Sequence, residues 1–338
     1  MKKHINIPIF IPHLGCPNNC VFCNQRSISG RQSFDVNDVE RQIDEVLATL
    51  SEDTEREIAF FGGSFTGIDR ELMIHLLEVA KNYIDCGKVS GIRLSTRPDY
   101  IDRERLDILS FYGVTAVELG LQSMDEKVLA TSKRGHTVKQ AEDACALIKE
   151  YGFELVGQMM IGLPSSSVET EIYTARRICE LGADGARVYP TVVFYNTELC
   201  EMAEQGMYTP INEEEALTRT KEALKVFDKY NVPCIRVGLC ASENLSDEKE
   251  VYGGANHSAV GELAMGEIYF EKICDELGDE RVFEGKTLII YAAKGATSKV
   301  VGQNRRNKIR ICEKYRFNKI KILEKNDIIG YNIILEVV

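Results

Sequence analysis

The sequence predicts an α/β protein: a partial or complete (β/α) barrel of the TIM type, with a small β-rich extension at its C-terminal end. Short apolar runs alternate with amphipathic stretches at least six times along the 338 residues, without repeats or low-complexity segments. Such alternation is typical of βαβ units around a parallel sheet. The charge pattern also changes near residue 285, which predicts a separate final segment.

The predicted strands are buried apolar runs, at 7–13, 56–63, 91–97, 115–122, 154–162 and 186–191. The stretches at 38–50, 137–152 and 212–231 carry apolar residues on one face and are predicted helices. In such a barrel the chemistry lies where strands end. The strings with unusual residues, namely the cysteines, GGSFTG, STRPD, QS and GLP, follow successive predicted strands.

We therefore predict a barrel with C-terminal helical additions over residues 1–285 and a small extension over 286–338. The extension has 12 Lys and Arg against 4 Asp and Glu, whereas the whole chain has a net charge of −11. A basic segment on an acidic body suits contact with nucleic acid. A solvated face of a small β-rich unit explains it equally well.

The composition favours a cytoplasmic protein without a membrane segment. There is no run of about eighteen apolar residues, and Pro8 and Pro12 interrupt the first apolar stretch, so neither a transmembrane helix nor a signal peptide is expected. Eleven cysteines without an export signal indicate a reducing compartment. Cys145, on an apolar helix stripe, is expected to be a buried small hydrophobe.

Cys16, Cys20 and Cys23 form a C-x3-C-x2-C cluster directly after the first predicted strand. A structural zinc ion normally takes four ligands, a disulfide would leave one thiol over, and a nucleophile needs one thiol and a base. Three thiolates suit a [4Fe–4S] cluster better, with the fourth iron open to a small molecule. Spacing alone favours the cluster over zinc without excluding zinc.

This run, with an aromatic residue before its last cysteine, resembles the radical S-adenosylmethionine (SAM) superfamily, and the resemblance covers most of residues 5–240. It implies that the three cysteines hold the cluster and that Phe22 is the family's aromatic residue. The open iron would chelate SAM, and one electron would split SAM into methionine and a 5′-deoxyadenosyl radical. A reductase or a ferredoxin-type donor would supply that electron.

The resemblance also implies a SAM pocket at the strand ends. It assigns the methionine amino group to the GGSF string, the ribose to Gln122 and the carboxylate to Arg134. Ser95 and Gln158 stand where relatives often carry Glu and Asp. The implied SAM-binding residues are Phe22, Gly62, Gly63, Ser64, Phe65, Ser95, Gln122, Arg134 and Gln158. Glycine allows close backbone approach, so Gly63→Val is expected to weaken SAM binding and spare the cluster.

The nearest branches are the oxygen-independent coproporphyrinogen oxidases and the Elongator catalytic subunit, which modifies wobble uridine in tRNA. STRPD (95–99) and RVYPTVVFYNTEL (187–199) are similar to Elongator strings. The Elongator family has a longer cysteine region and a following acetyltransferase domain. The 53 residues after position 285 are too few for such a domain. Modification of tRNA therefore competes with action on a small metabolite or peptide.

Two further residues are candidates on the substrate side. His257, in the loop predicted at 241–263, would serve as a proton donor, although a loop histidine is more often exposed or a helix cap. Tyr189 would line a substrate cavity, although core packing explains it nearly as well. A non-catalytic metal-binding or redox-sensing module is the remaining alternative, but it would not need GGSF, Gln122 and Arg134 at successive strand ends.

Overall fold

A parallel sheet forms the centre of the protein in a computed structural model that describes residues 4–12, 14–17, 20–24, 34–51, 53–239, 249–278 and 282–338. The strands up to residue 237 are β1 (His4–Ile11), β2 (Glu55–Gly62), β3 (Gly91–Thr96), β4 (Val114–Gln122), β5 (Glu154–Ile161), β6 (Gly185–Pro190), β7 (Val192–Phe194) and β8 (Cys234–Val237). All except β7 pair in parallel, in chain order from β1 to β8. Since β1 and β8 remain at opposite edges, the described strands make a partial barrel, as predicted.

Helices on the outside of the sheet connect the strands. They are α1 (Val39–Leu47), α2 (Arg70–Asp85), α3 (Arg103–Phe111), α4 (Glu126–Thr131), α5 (Val138–Glu150), α6 (Val168–Glu180), α7 (Glu198–Glu204), α8 (Glu213–Lys229) and α9 (Val260–Leu277). Several begin at a polar cap, and Thr137 and Ser167 form complete capping boxes. Cys145 on α5 is 1% exposed, and burial raises the pKa of its thiol to about 12, so the prediction of a buried hydrophobe is confirmed.

A two-stranded sheet lies beside the barrel where a loop was expected. Strand β9 (Val251–Gly254) pairs antiparallel with β7, and α9 already begins at Val260. The glycine at position 254 permits this pairing, because a Cβ there would lie 2.5 Å from the carbonyl oxygen of Thr191. The loop prediction therefore fails at both of these elements, and residues 241–248 lie outside the described part of the chain.

The C-terminal extension is a three-stranded sheet with two helices. Its elements are β10 (Thr287–Ala293), α10 (Thr297–Val301), α11 (Arg306–Tyr315), β11 (Lys319–Lys325) and β12 (Ile333–Val337). The central strand β10 pairs in parallel with β11 and antiparallel with β12. Its hydrophobic core includes Tyr269, Ile273 and Cys274 of α9. The extension is β-rich, as predicted, and α9 contributes to its core; the boundary at residue 285 stays a prediction.

Within the described residues, no helix combines the length and the apolar character needed to cross a membrane.

Candidate active site

A cavity of about 580 Å³ lies at the carboxyl ends of the parallel strands. Its walls come from the described residues that follow β1 (12, 14–17 and 20–24, the cysteine loop), from the ends of β2 to β5, and from the segment that begins α7. It is lined by Cys16, Cys20, Val21, Phe22, Cys23, Gly62, Gly63, Ser95, Thr96, Arg97, Gly120, Gln122, Arg134, Gln158, Asn196, Thr197, Glu198 and Glu201. The fold thus brings the three cysteines and most of the predicted SAM-binding residues to one cavity.

Four predicted residues are not among those that line it. Ser64 is fully buried and its hydroxyl lies 2.8 Å from that of Thr96, while Phe65 stacks on Phe60 with ring centroids 4.6 Å apart. Tyr189 lies within β6, and burial raises the pKa of its phenol. His257 lines a separate cavity of about 440 Å³, where its Nδ1 accepts from the backbone N–H of Ala259.

The cysteine loop is fixed to distant parts of the chain through Val21. The N–H of Val21 donates to the carbonyl of Ser132 (3.2 Å), and the N–H of Leu199 donates to the carbonyl of Val21 (2.8 Å). Cys20 is 7% exposed, and burial raises the pKa of the Cys16 thiol. No three His, Cys, Asp or Glu side chains of the described residues converge on a single ion position, and the three cysteines instead line one cavity.

Glycines hold the cysteine loop against the end of β2. Cβ atoms added at Gly15 and Gly63 would lie 2.2 Å from the carbonyl oxygen of Ser64 and 1.9 Å from that of Leu14. The N–H groups of Gly63 and Ser64 donate to the carbonyls of Ile11 and Leu14, at 2.8 and 2.9 Å. This contact of backbone with backbone requires residues without side chains. We call Gly15, Gly62, Gly63 and Gly67, which all make such contacts, the glycine seam.

Two buried guanidinium groups point towards Cys20. Nη1 of Arg134 lies 3.5 Å from Cys20 Sγ, and its Nη2 donates to the carbonyl of Gly120 (2.7 Å). Nη1 of Arg97 lies 4.0 Å from the same sulfur. Asp99 accepts from Arg97 through both carboxylate oxygens, at 2.9 Å each. In the described part of the chain Arg134 has no such carboxylate partner, and its Nε makes no hydrogen bond.

Gln122 enters the cavity from an irregular end of β4. Its φ of 65° lies in the left-handed region, and the pairing of β4 with β5 shifts between Gly120 and Gln122. A Cβ at position 120 would lie 2.8 Å from Arg134 Nη2, so Gly120 leaves space for the guanidinium. Oε1 of Gln122 is buried without a hydrogen-bond partner. Strained backbone and unsatisfied polar atoms are concentrated at functional sites.

Sequence comparison assigns most of the chain to known domain families. Residues 10–178 match the radical SAM superfamily, and residues 183–270 match the radical SAM C-terminal domain. The chain belongs to the radical SAM superfamily. It is therefore a radical SAM enzyme, as the sequence predicts, and the partial barrel is the expected fold.

Among curated relatives, an uncharacterized protein of Methanocaldococcus jannaschii is 28% identical over 241 residues, covering 68% of this chain and 74% of the relative. The tRNA uridine(34) acetyltransferase of the same organism is 27% identical, covering 64% of this chain and 47% of that enzyme. Elongator complex protein 3 of Saccharomyces cerevisiae is 37% identical over 124 residues, covering 36% of this chain and 22% of that protein. The chain thus spans about half or less of these two tRNA and Elongator proteins.

Solved structures share the fold. Elp3 of the archaeon Methanocaldococcus infernus superposes with a TM-score of 0.63 at 22% identity, covering 82% of this chain and 63% of that chain. Methylornithine synthase superposes with a TM-score of 0.51 at 16% identity, covering 76% of each chain. At these identities the likeness concerns the radical SAM fold alone.

Below the cavity, the interior of this radical SAM barrel contains a buried charged network. Glu118 is fully buried and accepts from Gln158 Nε2 (3.0 Å) and from Arg187 Nη2 (2.8 Å). Arg93 connects Glu118 to Glu57, at 3.6 and 3.2 Å. The amide nitrogen of Gln158 donates to Glu118, so its carbonyl oxygen remains for the cavity.

Sequence reasoning missed several residues that shape the site. Arg97 belongs to the string STRPD and Glu118 to the predicted strand at 115–122, and a charged residue inside a predicted buried strand was the available signal. Gly15 was visible only as a residue next to Cys16. His136 gave no signal, although burial and two nearby arginines lower the pKa of its imidazole to about 3 and keep it neutral.

Proposed function

We propose that this radical SAM enzyme holds a [4Fe–4S] cluster on Cys16, Cys20 and Cys23 and binds SAM beside it. The observation that carries the proposal is Arg134. Its side chain is 7% exposed, it faces the same cavity as the thiols, and no carboxylate in the described part of the chain neutralises it. A buried charge is costly unless it is paired. Cluster thiolates and a ligand carboxylate would supply the missing negative charge.

The remaining cavity residues suit the polar groups of SAM. The unpartnered Oε1 of Gln122 and the free carbonyl of Gln158 accept hydrogen bonds, as ribose hydroxyls require. Gly62, Gly63 and Ser95 also line the cavity, and we assign the methionine amino group to this part of its wall. Once bound, the cluster and SAM supply reductive cleavage to methionine and a 5′-deoxyadenosyl radical. The electron comes from an external reductase or ferredoxin-type protein.

We further propose tRNA as the substrate. Two relatives are named for tRNA uridine modification or for Elongator, and the extension is strongly basic. Arg306 lines a cavity together with the first turns of α8 and α9, at Glu213 and Val260. Val260 also approaches Gly238, at the carboxyl end of β8. Arg306 of the extension therefore lies at the end of the barrel to which the cysteine cavity belongs.

Replacing Cys16, Cys20 or Cys23 singly with Ser tests the cluster. We expect each variant to fold and to lose stable [4Fe–4S] assembly, because the cluster needs all three thiolates. Iron and sulfide content after anaerobic reconstitution, with the visible absorption spectrum, measures this. Cys86→Ser, at an exposed position directly after the C-terminal end of α2, is the matched control. Unchanged iron content in the triple variant would show that other residues are the ligands.

The same reconstituted enzyme tests the reaction. With dithionite and SAM we expect formation of 5′-deoxyadenosine, increased by bulk tRNA. If the amount of 5′-deoxyadenosine is unchanged by tRNA but increases with a small-molecule or peptide fraction, tRNA is rejected as the substrate and the radical reaction is retained. A cluster that assembles without binding SAM would reject the proposed SAM site.

A further inference from the structure

Arg97 is a fully buried arginine to which neither the sequence nor the proposed function gives a role. It is 2% exposed and lies between the end of β3 and a short 3-10 turn, Pro98–Tyr100. Its backbone N–H donates to the Ser64 hydroxyl (3.3 Å), which fixes the residue to the turn after β2. The side chain then extends towards the cysteine loop.

The guanidinium group of Arg97 makes contacts on three sides. Nε and Nη2 donate to the two carboxylate oxygens of Asp99, Nη2 also donates to the backbone carbonyl of Arg134 (2.7 Å), and Nη1 faces Cys20 Sγ. Such a fork is rigid and directional. One side chain thereby positions a candidate cluster ligand and the backbone of the arginine beside it.

The two arginines beside Cys20 differ in how their charge is compensated. Arg97 is neutralised by Asp99, whereas Arg134 has no carboxylate partner in the described residues. Asp99 accepts two hydrogen bonds from the buried guanidinium of Arg97 and compensates its charge. Two cations and one anion therefore surround a single thiol, in an interior where charge interactions are weakly screened.

We propose that Arg97 is a positioning residue that fixes Cys20 and Arg134, and that the Arg97–Asp99 pair sets the reduction potential of the cluster. This inference rests on the proposed function. Reduction adds one negative charge to the cluster. Nearby positive charge and N–H donors to the sulfurs stabilise the reduced form, whereas nearby negative charge destabilises it.

The two partners must then act in opposite directions. Arg97→Gln removes a cation and a donor and lowers the potential. Asp99→Asn retains the shape, removes an anion and raises the potential. Arg97→Lys retains the charge but loses the fork, and gives a smaller downward shift than Arg97→Gln. A purely structural role would not produce opposite signs.

The experiment is a dithionite titration of each reconstituted full-length variant without SAM, followed by the EPR signal of the reduced cluster and normalised to iron content. Arg103→Gln is the control, because Arg103 lies six residues further on and its pair with Glu150 is exposed. Opposite shifts for the Arg97 and Asp99 variants, with none for the control, support the inference. Equal potentials, or shifts of one sign, overturn it.

Cluster loss in all three variants, with Arg103→Gln intact, also overturns it and makes Arg97 a structural residue. If one or two variants lose the cluster, a downward shift in a remaining Arg97 variant or an upward shift in the remaining Asp99 variant supports the inference. No shift, or a shift of the opposite sign, overturns it. A wild-type protein that assembles no cluster would instead reject the proposed function, so the two failures are distinguishable.

Discussion

At the scale of single residues, the buried arginines of the barrel differ in whether a carboxylate neutralises them. Arg93, Arg97 and Arg187 are buried with carboxylate partners, at Glu57, Asp99 and Glu118 respectively. Arg134 is buried with a thiol and a carbonyl instead. The difference singles out the arginine that is available to an anionic ligand.

Replacing Arg134 with Gln should weaken SAM binding by the reconstituted protein. A hydrogen bond to a charged group contributes about 2 kcal/mol, which corresponds to roughly thirtyfold in Kd. Anaerobic equilibrium dialysis, normalised to iron content, measures the change, and Arg103→Gln is again the control. Undiminished affinity at full iron content would show that SAM is held without Arg134.

The roles of single residues are predictable from sequence only in part. The three cysteines can be predicted from their spacing, because a short loop keeps them close together. From the sequence, Arg134 would be expected on the surface. Its contact with Cys20 joins positions 114 residues apart, which the local sequence does not show. The Arg97 contact joins positions 77 residues apart and is equally invisible. Burial of a charge depends on partners that only the folded sheet brings together.

At the scale of elements, the glycine seam joins the cysteine loop to β2. From the sequence alone, glycines at 62 and 63 suggest space for a ligand. In the structure, the space beside Gly63 is occupied by the backbone of Leu14, two residues before the first cysteine. Both glycines also line the cavity, so they serve the loop as well as any ligand.

This geometry revises the expectation that a side chain at position 63 would spare the cluster. Gly63→Ala should displace Leu14 and reduce both iron content and thermal stability, because overpacking a close contact costs about 1–3 kcal/mol. Gly253→Ala is the matched control, since no atom lies within 4 Å of a Cβ there. Full iron content with weakened SAM binding would restore the original expectation.

At the scale of the whole molecule, the extension is basic and the rest of the chain is acidic. Of the four basic residues that cluster at 305–310, Arg305 and Arg306 are exposed. Arg310 donates to Glu267 (2.6 Å) and lies 3.6 Å from the centroid of the Phe270 ring, whereas Arg306 lies further from the same carboxylate, at 3.7 Å. Arg305, Arg306 and Lys308 are therefore the cluster residues to test for contact with RNA.

Changing Arg305, Arg306 and Lys308 to Ser should remove most affinity for bulk tRNA. Each lost phosphate contact should reduce the salt dependence of binding by about one unit of slope. Filter binding at low and moderate salt measures both. Arg41, Arg70 and Lys139, exposed on α1, α2 and next to the start of α5, changed together to Ser, match the charge loss. An equal loss in both triple variants would indicate a general charge effect.

The architecture is more predictable than the site. Apolar runs bounded by turns predict the parallel strands because each strand is buried on both faces. The short strand β9 escapes prediction, since its pairing with β7 depends on glycine at a crowded contact rather than on an apolar pattern. The packing of α9 into two hydrophobic cores could not be predicted either, because the apolar residues of a helix do not show which core they join.

The two hydrogen bonds of Val21 also constrain the order of events during synthesis. The cysteine loop emerges early from the ribosome, but Ser132 and Leu199 follow much later. At 5–20 residues per second, the roughly 180 residues up to Leu199 take roughly 10–40 s to appear. The loop cannot be fixed to these two partners before then. Iron delivered to the nascent chain would meet a cysteine loop that the barrel does not yet hold in place, so stable cofactor insertion should follow completion of most of the barrel.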